Sequence, residues 1–277
     1  MNGNNVEMNP LATDFPKLFF KYRSLSRKQD LTRLLEQISE QYLYFPTREK
    51  LNDPFEGMIG DSSIVGIGYA GVSLRRIYGL EIPPIKDLAD KYRILSVSAT
   101  CFSPLMWAFY GDGGKGVCLC FQSNKSLHSA RPVVYSDANV PDKKEMSIEE
   151  LDEYILCCFL KKHADWAYEK EWRIVEKTDS DRVTLNNELI SIILGNKVDP
   201  KDVLLIKQFL PPNVQLFRTH IDAEEKRIRL LRDGYEFPFD GLPAEFINTT
   251  DELYNAILKG NPYLDTDCTC NERRENK

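Results

Sequence analysis

The sequence lacks any apolar run near the ~20 residues that a membrane-spanning helix requires, so we expect no membrane insertion. The segment MNGNNVEMNPLATDF at its start has neither a basic beginning nor an apolar stretch, so it does not predict a secretory signal. Glycine and proline each occur 15 times in 277 residues, which excludes collagen and long disorder. Basic residues number 36 against 42 acidic ones, and the net charge of −6 predicts no strong general binding to nucleic acid.

The residue spacings that are typical of structural metal sites are also rare in this sequence. The chain has three histidines, seven cysteines and no Cys-x-x-Cys pair, so we do not expect a zinc site. Five cysteines lie in apolar segments, where cysteine packs as a small hydrophobic residue: Cys101, Cys118, Cys120, Cys157 and Cys158. Because the number of cysteines is odd and no secretory signal is visible, we expect reduced thiols and a cytoplasmic location.

The apolar patterning predicts an α+β fold with a mixed, mostly antiparallel sheet core and flanking helices. Short apolar segments predict strands at 18–23, 42–45, 94–101, 117–121, 133–135, 171–175 and 214–218, with a further strand ending at 230–231. Apolar spacing and cap residues predict helices at 31–38, 72–78, 105–110, 147–160, 202–209 and 249–258. We expect one domain over 17–235, a flexible lead at 1–16, and a C-terminal helix with a polar tail within 236–277.

Two glycine-rich motifs resemble nucleotide-binding loops in sequence. Gly66–Gly71 matches Gly-x-Gly-x-x-Gly, but a dinucleotide fold needs a long helix next, and Gly79 and the Pro83–Pro84 pair interrupt that region. Gly111–Gly116 contains Gly-Lys, but Val117 stands where a phosphate-binding loop has Ser or Thr. We therefore predict a flexible loop at the first motif and a hairpin turn at the second.

The segment Trp166–Arg173 carries two acids, Glu169 and Glu171, at the start of a predicted strand. Side chains two residues apart in a strand project from the same face, so both carboxylates would lie on one face. Two such carboxylates repel each other, and screening by aromatic neighbours would raise the pKa of one of them. Two interpretations stay open: an acidic catalytic pair, or an exposed strand edge whose acids pair with Lys170 or Arg173.

The first predicted strand ends in Tyr22 and Arg23. An arginine can grip a phosphate with two parallel donors, which favours an anion-binding role at this strand end. The alternative is a surface salt bridge with Asp53 or Glu56, which lie in the turn-rich segment 50–57.

The segment after Cys101 holds the remaining candidates. Ser103 precedes Pro104 and either caps a helix or helps to bind an anion or a ribose. Trp107 and Tyr110 lie three residues apart on that helix, a spacing that favours a core position over a stacking platform.

Together these motifs make the chain resemble a bacterial family, domain-of-unknown-function family 2971. The resemblance covers roughly residues 18–235. It rests on motifs that occur in order: Phe20–Arg23, Leu51–Glu56, Cys101–Ser103, Met106–Trp107 with Tyr110, Gly116–Phe121, Tyr168–Arg173 and Ile192–Gly195.

A basic residue on a first strand, a serine at the end of a middle strand and Glu-x-Glu on a later strand also make the chain similar to arginine-type ADP-ribosyltransferases. The similarity implies that NAD is a substrate, that Arg23 holds its phosphates, and that Ser103, with Ser98 as a rival, braces the nicotinamide ribose. Glu171 would be the catalytic carboxylate and Glu169 would orient the acceptor. The remaining implied residues bind NAD (Tyr22, Trp107, Tyr110) or the acceptor (Asn52, Asp53, Glu56).

The leading hypothesis is an NAD-dependent, ADP-ribosyltransferase-like enzyme that binds a small nucleotide and modifies an unknown macromolecular acceptor. A role as a toxin or anti-phage defence effector rests on the resemblance alone. One alternative is a hydrolase or nuclease whose carboxylates bind Mg²⁺ or Mn²⁺ through Asp53, Glu56, Glu169 and Glu171. The other is a non-catalytic ligand-sensing or interaction domain with a pocket lined by Trp107, Trp166 and Trp172.

Overall fold

The structure is a computed structural model that describes residues 15–53, 66–69, 72–73, 85–138, 145–146, 148–233 and 246–260. The strands are β1 Leu18–Arg23, β2 Tyr42–Tyr44, β3 Gly66–Tyr69, β4 Val72–Ser73, β5 Tyr92–Ser98, β6 Val117–Gln122, β7 Arg131–Pro132, β8 Val134–Tyr135, β9 Glu145–Met146, β10 Lys161–Lys162, β11 Glu171–Lys177, β12 Arg182–Thr184, β13 Leu189–Leu194, β14 Gln215–Asp222 and β15 Arg227–Arg232. The helices are α1 Lys28–Glu40, α2 Ile85–Ala89, α3 Pro104–Phe109, α4 Ile148–Phe159, α5 Pro200–Phe209 and α6 Thr250–Gly260.

Eight strands form the main sheet in the order β15-β14-β13-β6-β1-β5-β11-β7. The pair β13–β14 is parallel and the other neighbours in this sheet are antiparallel. The predicted α+β fold with a mixed, mostly antiparallel sheet is therefore confirmed. Among the described helices, none has the length and apolar character needed to cross a membrane.

Alternating side chains divide the core between the two faces of the sheet. In β1, Phe19 packs on one face with Leu34 of α1, while Phe20 packs on the other face with Leu253 of α6. A separate apolar cluster forms where α4 packs against β5 through Ile155 and neighbouring residues. Helices thus cover both faces of the described sheet, which buries its apolar strands.

The sheet opens between β1 and β5. Within the described chain these strands are joined at one residue pair, Phe20 with Ser98, whereas β1 pairs with β6 along its whole length. Beyond that pair the two strands separate, and the N–H of Ile94 donates to the Pro46 carbonyl at 2.8 Å instead of to β1. The opening leaves room for polar side chains beside two buried strands.

Most predicted strands and helices are confirmed to within a few residues at their ends. Asp30 lies in the first turn of α1, where its carboxylate accepts the backbone N–H of Arg27 at 3.2 Å. Ser103 caps α3 as predicted, since its hydroxyl accepts the Met106 N–H at 3.4 Å.

The glycine-rich motifs differ from the prediction in detail. Gly66–Tyr69 is the strand β3 instead of a loop, and the end of that motif lies outside the described residues. The predicted helix at 72–78 is wrong at its start, because Val72–Ser73 is the strand β4; residues 74–78 lie outside the described residues. The second motif does not form a hairpin turn: a 3₁₀ turn at Asp112–Gly114 joins α3 to β6, and Gly113 and Gly114 adopt positive φ there. The domain limits, the lead and the tail stay predictions, since residues 1–14, 234–245 and 261–277 lie outside the described residues.

Candidate functional site

A cavity of about 250 Å³ lies at the opening between β1 and β5. Its lining includes four basic side chains and two acidic ones. The lining residues are Phe20, Lys21, Tyr22, Arg23, Pro46, Lys50, Leu51, Asn52, Ile94, Ser96, Val97, Ser98, Met106, Tyr110, Lys162, Glu169 and Glu171. The structure therefore brings the first strand and the Glu169–Glu171 segment, which lie far apart in sequence, to the same cavity.

Glu169 and Glu171 reach the cavity by a backbone route that the sequence did not predict. Glu169 ends a 3₁₀ helix at Ala164–Glu169, Lys170 adopts the left-handed conformation with φ of 45°, and Glu171 begins β11. The two acids therefore do not project from the same strand face. They meet at Lys162, whose ammonium contacts both carboxylates.

Both acids are buried in an ion network. The side chains of Lys162, Glu169 and Glu171 are 4%, 5% and 6% exposed, respectively. The ammonium of Lys162 lies 2.5 Å from Glu169 Oε2 and 3.1 Å from Glu171 Oε2. Arg173 donates from Nε and Nη2 to the two oxygens of Glu171 at 2.8 Å each. The predicted exposed strand edge is wrong, although the pairing with Arg173 is present.

Further hydrogen bonds hold the acidic pair in place. The Tyr110 hydroxyl donates to Glu169 Oε1 at 2.5 Å. The Ser98 hydroxyl donates to the Glu169 carbonyl at 2.6 Å, and the backbone N–H of Glu171 donates to the Tyr135 hydroxyl at 2.7 Å. With side chain and backbone both engaged, each carboxylate has a fixed position before any ligand binds.

Burial and charge act against each other on these groups. Burial raises the pKa of Glu171, while the Lys162 ammonium and a hydrogen bond from Ser96 oppose that rise. Burial alone would lower the pKa of Lys162, but Glu171 and Glu169 reverse the effect and raise it. Lys162 therefore stays charged, and its charge compensates the like charges of the two acids.

A second, adjacent wall of the cavity is cationic. Lys21 and Arg23 lie on β1, and Lys50 lies at the end of a 3₁₀ turn at Arg48–Lys50. Lys21 Nζ donates to the Ser96 carbonyl at 2.5 Å, and Arg23 Nε donates to Gln37 of α1 at 3.2 Å. Both acceptors are uncharged groups. The ion pairs of the described residues include neither Lys21 nor Arg23.

Burial lowers the pKa of both cations on β1. For Lys21 the pKa falls to about 7 through burial and the nearby Arg23 charge, with Glu171 opposing the change. For Arg23 burial lowers the pKa to about 10. Lys21 and Arg23 are half-buried, and neither belongs to an ion pair among the described residues. Because charges removed from water are usually paired, these two cations favour a site for an anion.

Several predicted site residues lie at the cavity. Arg23, Tyr22, Tyr110 and Asn52 line it together with both acids. The Tyr22 hydroxyl donates to the Thr100 carbonyl at 3.1 Å, so that ring is a fixed part of the wall. A hydrogen bond from Asn52 also reaches the Tyr110 hydroxyl, opposing the rise in pKa that burial causes there.

Two predicted NAD-binding residues do not line the cavity. Ser103 uses its hydroxyl to cap α3. Trp107 packs in the core, where its indole N–H donates to the Cys101 carbonyl at 2.8 Å and its ring meets Tyr22 edge to face. The rival serine, Ser98, does line the cavity from β5, whereas α3 contributes Met106 to the lining.

One predicted acceptor-binding residue, Asp53, does not line the cavity. Asp53 is buried, and its carboxylate accepts the backbone N–H of His163 at 3.4 Å and lies near enough to Arg173 to act on its pKa. Asp53 therefore adds a negative charge near Arg173 of the ion network without lining the cavity. Glu56 lies outside the described residues.

Four polar lining residues have no role in the prediction from the sequence: Lys21, Lys50, Ser96 and Lys162. Lys21 precedes Tyr22 and Ser96 lies two residues before Ser98, but the sequence pattern assigns neither of them a role. Lys162 lies seven residues before Glu169, just beyond the helix predicted at 147–160. It belongs to the short strand β10, and its ammonium contacts both acids.

The described residues do not favour a metal site. They contain no group of three or more His, Cys, Asp or Glu side chains that could hold a metal ion. Glu169 and Glu171 instead bind the basic groups of Lys162 and Arg173, which occupy the positions that a cation would take.

A family model described as a protein of unknown function (DUF2971) matches residues 106–174. This segment includes Tyr110, Lys162, Glu169, Glu171 and Arg173, so it spans the whole ion network around the acids. The match supports the family resemblance over that part of the chain. No curated protein and no solved structure matches the chain.

Proposed function

We propose that the protein is an NAD-consuming enzyme of the ADP-ribosyltransferase type. One observation carries the proposal: a pair of buried carboxylates lines the same cavity as two half-buried cations that form no ion pair among the described residues. NAD carries phosphates that suit the cations and a glycosidic bond whose cleavage requires a nearby carboxylate. The similarity of motif order to arginine-type ADP-ribosyltransferases supports the same assignment.

The chemistry assigns separate roles to the two walls. Cleavage of the nicotinamide–ribose bond passes through a state with positive charge on the ribose, which a fixed carboxylate stabilises. Glu171 is suited to this role because Arg173 and Lys162 hold it in place. The bond to nicotinamide breaks with its electron pair, the acceptor nucleophile bonds to the ribose carbon, and the acceptor proton is released.

Glu169 and Tyr110 form a hydrogen-bonded pair beside the catalytic carboxylate. In this proposal Glu169 orients the acceptor and receives its proton, which matches the role implied by the resemblance. In this proposal the acceptor is a macromolecule. A role as a toxin or anti-phage effector stays a prediction of the resemblance.

The decisive experiment incubates the purified full chain with NAD and measures the release of nicotinamide. We expect Glu171→Gln to lower the rate by about 10²- to 10³-fold, the loss that follows removal of one preorganised electrostatic group. Glu176→Gln is the matched control, since Glu176 is an exposed acid on the same strand. Thermal unfolding of both variants separates a catalytic loss from a loss of folding.

Two outcomes would replace the proposal. Activity that a chelator abolishes would favour the metal-dependent hydrolase. Binding of NAD without turnover, equal in the wild type and in Glu171→Gln, would favour a ligand-sensing domain.

A further inference from the structure

The cationic and acidic walls of the cavity lie close together. Lys21 Nζ contacts the Ser96 carbonyl at 2.5 Å, and the Ser96 side chain forms a hydrogen bond with Glu171. The groups suited to a phosphate and to a ribose are therefore separated by the width of one residue. A ligand that contacts both must place a phosphate and a glycosidic bond within one small unit.

The size of the cavity gives the same indication. Its volume of about 250 Å³ is below the ~300–1,000 Å³ that is typical of sites for drug-sized ligands. A dinucleotide has two bases, two riboses and two phosphates. A mononucleotide has one of each, which corresponds to the one cationic wall and the one acidic wall.

The aromatic side chains of the wall have other partners. Tyr22 packs edge to face with Trp107, Phe20 packs in the same apolar cluster, and the Tyr110 hydroxyl binds Glu169. Among the described lining residues we find no further aromatic ring on which a second base could stack.

We infer that the protein recognises NAD through its nicotinamide mononucleotide half, and that the adenosine half lies outside this cavity. The inference rests on the proposed function and narrows it to a substrate class. Nicotinamide mononucleotide itself should therefore be a substrate. Water would add to the ribose carbon as the bond to nicotinamide breaks, which yields nicotinamide, ribose 5-phosphate and one proton.

The phosphate would bind at Lys21 and Arg23. Arginine offers two parallel donors to phosphate oxygens, and the ammonium of Lys21 adds a second charge. Lys50, exposed at the rim, is near enough to contribute to the same wall. Nicotinamide riboside lacks the phosphate and is therefore a matched ligand that tests this wall alone.

The experiment compares NAD, nicotinamide mononucleotide and nicotinamide riboside with the full chain. Turnover is measured as kcat/KM for nicotinamide release, and affinity by calorimetry with the Glu171→Gln variant. We expect kcat/KM for the mononucleotide to be within about tenfold of the value for NAD. The riboside should bind about 10- to 100-fold more weakly than the mononucleotide, as expected for lost hydrogen bonds to charged groups.

The variants Lys21→Met and Arg23→Gln should bind nicotinamide mononucleotide more weakly than the unsubstituted protein does. Their affinity for nicotinamide riboside should be unchanged. Lys170→Met is the control, because Lys170 is exposed although it lies between the two acids in sequence. If either variant fails to fold, Lys21→Arg and Arg23→Lys keep the charge and should preserve the preference for the mononucleotide over the riboside.

The possible outcomes distinguish recognition of the mononucleotide half from NAD cleavage itself. Turnover of NAD with no binding of the mononucleotide would overturn the inference and leave the proposed function intact. Equal binding of riboside and mononucleotide would also overturn it, because the cationic wall would then not bind phosphate. A protein that neither binds nor cleaves any of the three ligands would overturn the proposed function itself.

Discussion

Lys162 Nζ lies 2.5 Å from Glu169 Oε2, and both side chains are almost completely removed from solvent. The same ammonium lies 3.1 Å from Glu171, so one lysine compensates two acids that would otherwise repel each other. Together with Arg173 it makes the buried group electrically balanced before any ligand binds. The catalytic hypothesis and the stability of this region therefore depend on the same residue.

Lys162→Met should make the free energy of unfolding depend more steeply on pH. Without the ammonium, repulsion and burial raise the folded-state pKa of one acid further above the unfolded value of ~4.3. The folded state then binds more protons than the unfolded state above that pH, so stability falls as the pH rises from 5 to 8. Urea unfolding at several pH values measures the effect.

The double variant Lys162→Met with Glu169→Gln removes one charge of each sign and should restore a flatter profile. Lys170→Met serves as the exposed control. An equal loss of stability at pH 5 and pH 8 in Lys162→Met would contradict the compensating role of this lysine.

Arg173→Met should lower the free energy of unfolding by about 3–5 kcal/mol, the cost of leaving a buried ion without its partner. Arg173 is 1% exposed and holds both oxygens of Glu171. Arg182→Met is the comparison, because the Arg182–Glu40 pair has a similar distance of 2.9 Å but both side chains are more than half exposed. Its loss should cost less than about 1 kcal/mol. Similar values for the two variants in urea unfolding would show that burial does not strengthen the network.

NAD affinity should fall as the pH rises above neutrality. Lys21 has a pKa of about 7, and an anion in the cavity favours its protonated form, so binding takes up a proton and weakens as the pH rises through that value. Calorimetry with Glu171→Gln between pH 5 and pH 9 measures this dependence, and the fall should begin at a lower pH than in the wild type because the Glu171 charge that raises the Lys21 pKa is absent. Lys21→Arg should flatten it, while an unchanged slope in that variant would assign the titration to another group.

The serines at 98 and 103 should respond differently to replacement by alanine. Ser103→Ala removes a helix cap and should cost about 1 kcal/mol of stability with little change in NAD turnover. Ser98 lines the cavity and holds the Glu169 carbonyl, so Ser98→Ala should lower kcat/KM about tenfold, the order expected for one lost hydrogen bond. Nicotinamide release and thermal unfolding of both variants test the pair, and the reverse pattern would place the ribose near Ser103.

Much of the fold follows from local pattern. The short apolar segment at 18–23 predicts a strand, and Ser103 before Pro104 predicts the start of α3, because strand pleating and helix capping are local effects. The opening between β1 and β5 is not local. It depends on where two strands that are distant in sequence stop pairing, and no periodicity records that point.

The amino-acid sequence by itself determined the α+β class, most strand and helix positions, and the residue types on which the proposed function rests: an arginine at a strand end and two closely spaced acids. Only the tertiary structure decided that the acids are buried, that Lys162 binds both, and that Ser98 rather than Ser103 lies beside them. The physical reason is that burial and ion pairing depend on which distant segments meet, whereas strand and helix formation depend on near neighbours in the chain.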